Sequence, residues 1–151
     1  MEKLKVLFVC TQNSARSQMA EAFLRRFAGD SFEVESAGLA PATAVNPLVV
    51  EVMAEEGLDL SSKKPQSVFE LFKARRLYDY VITVCDSASE QTCPVFPGVV
   101  QRWHWPFPDP ARATGTREEQ LAEVRRIRDL IRERVERPFT TDFSVQDPFA
   151  R

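Results

Sequence analysis

The 151-residue sequence holds only three cysteines and one histidine. An odd count excludes a framework in which every cysteine is paired, and in a reducing compartment free thiols point to catalysis or redox chemistry. A single histidine, His104, with cysteines at 10, 85 and 93 lacks the paired spacing of a zinc knuckle, so no metal is expected. No apolar run approaches the ~20 residues that cross a bilayer, and the N-terminal stretch has no signal-peptide core. The expected setting is the cytoplasm, with no membrane partner. Charge of one sign is missing too: 20 lysines and arginines face 22 aspartates and glutamates, net −2, which leaves no basic footprint for nucleic acid.

What is present suits one well-buried core. The length is enough for a single domain, expected over residues 1–138 with a tail at 139–151, and nothing demands more than a monomer. The apolar run 5–9 ends at Cys10, and Met19, Phe23 and Phe27 then fall at helical spacing. Residues 32–38 alternate and stop at Gly38, predicting a second strand. Asn46-Pro47 supplies an N-cap and a first-turn proline for a helix over 48–56, closed by Gly57. A shorter helix is expected from Ser67, buried strands over 79–84 and 99–105, and a long helix from the capping box Thr116/Glu119 to Pro138. Strands alternating with helices predict an α/β fold. It is a doubly wound four-stranded parallel sheet, order 2-1-3-4, with helices on both faces and ligands beyond the strand C-termini.

The chemistry centres on Cys10-Thr11-Gln12-Asn13-Ser14-Ala15-Arg16-Ser17. Strand, loop and helix in that order bring backbone N–H groups from Thr11, Gln12, Asn13, Ser14, Ala15 and Arg16 toward an oxyanion at the positive end of a helix dipole. A free thiol, with its pKa of about 8.5, is a few per cent ionised at neutral pH, and this setting favours the thiolate. The Ser17 hydroxyl can donate to the sulfur. Arg16 has the planar fork that grips two oxygens, and Asn13 is the residue other than glycine that best tolerates positive φ.

Three further features bear on the site. Cys85 ends the third predicted strand, on the same rim as Cys10, and a polar stretch joins it to Cys93; the pair can form a disulfide or be two separate buried thiols. Asp109, held between Pro108 and Pro110 in the loop after the fourth strand, is placed to act as a general acid or base. His104, between two tryptophans, reads as a structural wall residue, and the arginines of the last helix read as a solvated, ion-paired face.

Together these residues resemble the thioredoxin-coupled arsenate reductases built on the low-molecular-weight tyrosine phosphatase fold. The resemblance spans about residues 4 to 135. It rests on the Cys10 to Arg16 loop with Ser17-Gln18-Met19-Ala20-Glu21, the Ser36-Ala37-Gly38 strand end, Asn46-Pro47, the Cys85/Cys93 pair, and His104-Trp105 leading to Asp109-Pro110. Gln18 stands where the phosphatase branch typically has proline. Gln12 stands where glycine is frequent, and seven residues separate Cys85 from Cys93 where the best-known members have six.

The resemblance implies that Cys10 attacks arsenate held by the loop and Arg16 while Asp109 protonates the departing oxygen. Cys85 then attacks Cys10, and Cys93 carries the disulfide outward to an exposed segment that thioredoxin reduces, with no cofactor. A low-molecular-weight tyrosine phosphatase is the alternative, and a noncatalytic oxyanion or redox sensor a second one. Some relatives hold a potassium ion; Asn13, Glu21 and Ser36 match three positions of that site, but the expected aspartate is missing from residues 63–67, so potassium is left out.

Overall fold

A computed structural model of the chain describes residues 3–86 and 92–140. In chain order the elements are β1 (Leu4–Cys10), α1 (Arg16–Ala28), β2 (Phe32–Gly38), α2 (Pro47–Ala54), α3 (Val68–Lys73), β3 (Tyr80–Thr83) and β4 (Gln101–His104). A short 3₁₀ turn (Pro110–Arg112) and the long helix α4 (Arg117–Thr140) follow. The four strands are parallel in the order β2-β1-β3-β4, as predicted.

Local chemistry explains most of these boundaries. The Asn46 side chain accepts from Leu48 N at 2.9 Å, Ser67 caps α3, and Thr116 and Glu119 exchange bonds of 2.9 and 3.1 Å in the expected capping box. Gly57 closes the turn after α2 at φ +76°, which glycine adopts without strain. β3 and β4 are shorter than predicted, yet Val84 N donates to Val9 O and Trp105 N to Thr83 O, both at 2.8 Å, just past the strand ends.

The end of α4 departs from expectation. It runs through Pro138 to Thr140 instead of stopping there. Proline's fixed φ is helical, and its missing N–H removes one bond near the helix end. Of the expected tail, residues 141–151 lie outside the described residues, as do 87–91 between Cys85 and Cys93.

Both faces of β1 are buried, which is why its sequence is a continuous apolar run. Val6, Phe8 and Cys10 face the larger core, formed with Met19 and Phe23 of α1, Val49 of α2 and Ile127 and Ile131 of α4. Leu7 and Val9 face a smaller cluster with Val68 and Leu71 of α3, Tyr78 and Phe96. The arginines of α4 correct a second expectation. Instead of pairing only along their own helix, Arg117, Arg125, Arg128 and Arg132 bridge to Glu51, Glu55 and Glu56 of α2 and the turn after it. Arg128 and Arg134 are buried, the latter stacked 4.3 Å above the Trp105 ring. The face is part of the packing, because long arginine stems cover apolar surface.

Candidate active site

Parallel pairing carries β1 and β3 side by side, with Val9 opposite Thr83, so Cys10 and Cys85 leave the sheet at the same rim. The loop after Cys10 turns into α1 with no side-chain cap on that helix, whereas α2 and α3 are capped by Asn46 and Ser67. Its first N–H groups therefore remain for a ligand. The loop borders a 210 Å³ cavity lined by Cys10, Thr11, Gln12, Ser14, Ala15 and Arg16 and by Asp86, Asp109, Ala111 and Arg112 across from it.

Inside the loop, donor and acceptor roles can be assigned from what each atom is able to do. Gln66 N, a donor only, meets Asn13 Oδ1 at 2.9 Å, so Asn13 Nδ2 is the donor to Ser36 Oγ (3.0 Å) and Ser17 Oγ (2.7 Å). The Glu21 carboxylate can only accept, so Ser36 gives it its proton at 2.6 Å. Ser17, having accepted from Asn13, keeps its own proton for Cys10 Sγ, 2.8 Å away. Asn13 N adds a second donor to that sulfur at 3.2 Å. Two polar groups thus converge on one buried sulfur.

The same asparagine sits at φ +54°, as its place in the loop predicts, and Gln18 Nε2 ties both its carbonyls at 3.1 and 3.2 Å. Gly38 is the other requirement. A Cβ there would lie 2.8 Å from Asn13 N and 2.9 Å from Thr11 O, so only glycine lets the end of β2 pass under the loop.

Arg16 is buried and placed by the loop after β4. Its Nη1 donates to Phe107 O at 3.2 Å and its Nη2 lies 3.8 Å from Asp109 Oδ2. Asp109 is itself held by accepting from Ala111 N at 3.0 Å, at the start of the 3₁₀ turn, with its side chain one-third exposed at the cavity. His104 stays structural, its Nδ1 2.7 Å from Thr83 Oγ1.

None of the three cysteines is joined in a disulfide, and all three are buried. Cys85 shares the larger core with Cys10 and is fully enclosed. Burial pushes its thiol up to about 12, the negative charge of Cys10 adds to this, and Arg16 opposes it. Cys93 does not lie on an exposed segment as expected: it is 6% exposed, on the other side of the sheet with Val9, Val81 and Phe96. The apolar Phe96, wedged edge-on against Phe72 and Tyr78, draws the segment inward. Sequence reasoning overlooked Asp86 and Arg112 on the cavity wall, and Gln66 and Lys63 behind the loop; none carries a local motif.

The residues matching the potassium site do not fit that ion. A cation needs converging oxygen lone pairs, but Asn13 turns its N–H groups toward Ser36, the Ser36 proton is committed to Glu21, and Lys63 Nζ sits 2.7 Å from Glu21 Oε2. A potassium ion there would face an ammonium group.

A buried thiol on the loop between a strand and a helix, with an arginine and an aspartate on the same cavity at the rim of a parallel sheet, is the arrangement of a small α/β enzyme built around a cysteine. Residues 5–143 match the low molecular weight phosphotyrosine protein phosphatase family, and the chain belongs to it. It is 43% identical to an arsenate reductase of Bacillus licheniformis over 139 residues, 91% of this chain and 96% of that one. Among solved structures it resembles an arsenate reductase in the phosphate-binding state, with TM-score 0.72 and 30% identity over 91% of this chain and 97% of the other. It also resembles a thioredoxin-dependent arsenate reductase of Corynebacterium glutamicum, with TM-score 0.60 and 35% identity, covering 87% of this chain and 61% of that one.

Proposed function

We propose that this protein is an arsenate reductase that spends the electrons of its own thiols and is restored by thioredoxin in the cytoplasm. The observation that carries the reading is the enclosed Cys85 thiol at the strand end beside the Cys10 loop, since hydrolysis of an ester has no use for a second sulfur. Arsenate binds to the loop amides and Arg16. Cys10 sulfur attacks arsenic, one As–O bond breaks, and Asp109 gives that oxygen the proton with which it leaves as water. No electrons have changed owner at this stage.

Cys85 then attacks the Cys10 sulfur. The S–As bond breaks with its electron pair left on arsenic, which becomes As(III), and the two sulfurs form a disulfide; the Cys85 proton goes to arsenite oxygen. Bonding to arsenic removes the negative charge on Cys10 that had helped keep Cys85 protonated, so the first step readies the second. Cys93 next attacks Cys85, Cys10 departs as thiolate, and thioredoxin supplies two electrons to the Cys85–Cys93 disulfide. Cys93 starts on the other face of the sheet, so this step demands that its sulfur move to the rim that carries Cys85.

The test is NADPH oxidation coupled through thioredoxin reductase and thioredoxin, with arsenate as substrate. Wild type turns over, and Cys10→Ser, Cys85→Ser and Cys93→Ser each stop it. Full turnover by Cys93→Ser with thioredoxin as sole reductant overturns the third step. A phosphatase is the second reading, favoured by a cavity that already pairs Cys10 and Arg16 with Asp109. It predicts rapid aryl phosphate hydrolysis that survives loss of Cys85 and Cys93, with no reduction of arsenate.

A further inference from the structure

Glu21 is a carboxylate with only 4% of its side chain exposed. A buried carboxylate is strongly unfavourable unless paired and hydrogen-bonded. Two cations of this chain meet the need: Lys63 Nζ at 2.7 Å on Oε2, and Arg25 Nη2 at 3.1 Å. They are unequal partners. Arg25 is about half exposed and also donates to Val34 O through Nε and Nη2, whereas Lys63 Nζ donates to Glu21 from a turn held by Lys63 N on Leu60 O.

From Glu21 the hydrogen bonds run without a gap to the sulfur: Ser36 to Glu21, Asn13 to Ser36 and to Ser17, Ser17 to Cys10. The carboxylate, which can only accept, sets the direction of the Ser36 bond, and Ser36 is then left to accept from the Asn13 amide, whose oxygen is taken by Gln66 N. If Glu21 took up a proton or turned outward, Ser36 would lose the acceptor that orients its hydroxyl. The Asn13 amide, and with it the Ser17 proton aimed at sulfur, would be less firmly held.

We propose that Lys63 is a positioning residue for the Cys10 nucleophile, acting through Glu21, Ser36, Asn13 and Ser17, and that its ammonium group does from within the chain what a bound monovalent cation would otherwise do. The sulfur's reactivity is therefore independent of potassium. The inference builds on Cys10 as the nucleophile of the proposed reaction but not on the identity of the oxyanion.

The experiment reads the sulfur directly. In a Cys85→Ser/Cys93→Ser background Cys10 is the sole thiol, and its alkylation by iodoacetamide is timed at pH 7 and constant ionic strength. Replacing sodium chloride by potassium chloride leaves the rate unchanged. Lys63→Met lowers it about tenfold, the worth of one charge-assisted hydrogen bond, and Lys63→Arg restores it. Lys63 lies in a surface turn, one-third exposed, so both variants can be compared as folded proteins by their melting curves. A several-fold acceleration by potassium over sodium overturns the proposal, and so does a Lys63→Met rate equal to the parent's, or a loss that Lys63→Arg does not repair. Failure of arsenate turnover with the expected alkylation pattern would remove the proposed reaction and leave this role of Lys63 standing.

Discussion

The ends of β1 and β3 are neighbours on one rim and each carries a cysteine, yet they prepare their sulfurs in opposite ways. Cys10 receives Ser17 Oγ at 2.8 Å and Asn13 N at 3.2 Å beneath an uncapped helix N-terminus. Cys85 is enclosed by the core, and burial lifts its thiol to about 12. Two thiols of the same chemistry thus sit in opposite surroundings, one hydrogen-bonded in the loop and the other enclosed by apolar packing.

The strongest way to break the contrast is to remove each sulfur in turn. Cys10→Ser should lower arsenate turnover by about 10⁴-fold or more, as loss of a covalent nucleophile does. Cys85→Ser should also stop turnover while sparing the first covalent step, which mass spectrometry of the arsenate-treated protein can detect as an adduct. Ser17→Ala takes away one donor from the sulfur and should cut kcat/KM by about 10- to 100-fold, equivalent to about 1.5–3 kcal/mol, measured at saturating thioredoxin. An unchanged kcat/KM would mean that the Ser17 hydroxyl has no part in the reactivity of the sulfur.

Smaller effects sharpen the comparison. Gly38→Ala forces a methyl group onto backbone atoms of Thr11 and Asn13 and should destabilise the fold by about 1–3 kcal/mol in urea unfolding. The far end of the sheet should be unaffected. Stability should also fall in alkali. The Cys85 thiol is raised from 9.0 to about 12 on folding, so the unfolded chain ionises first. The contribution is intact below pH 9 and is lost progressively toward pH 12, amounting to about 1.4 kcal/mol at pH 10. Cys85→Ala should show a shallower alkaline decline from pH 9 to 10 in the same unfolding measurement; a parallel decline would assign the loss to other groups.

Much of this was legible before any coordinates. The caps at Asn46, Ser67 and Thr116, the strand ending in Gly38 and the positive-φ Asn13 are local devices whose cause lies within a few residues. Strand order followed from the alternation of elements and the handedness of parallel crossovers. The misreadings have a common source. Burial of Cys93, the bridging of α4 arginines to α2, and the passage of a helix through Pro138 each depend on what packs against the segment, or on its place along the helix, and not on its own composition. Lys63 belongs with them. Forty-two residues separate it from Glu21, and no spacing rule announces the pair.

The chain by itself determined the loop, because the cysteine, the positive-φ asparagine, the arginine and the serine that build it lie within eight consecutive positions at the end of an apolar run. Only the tertiary structure decided which way each hydrogen bond points and which thiol stays protonated. Hydrogen-bond direction is settled by the groups that can only give or only take, here Gln66 N at Asn13 and the Glu21 carboxylate at Ser36, and the ionisation of Cys85 by the water that packing removes; both are set by residues distant in sequence.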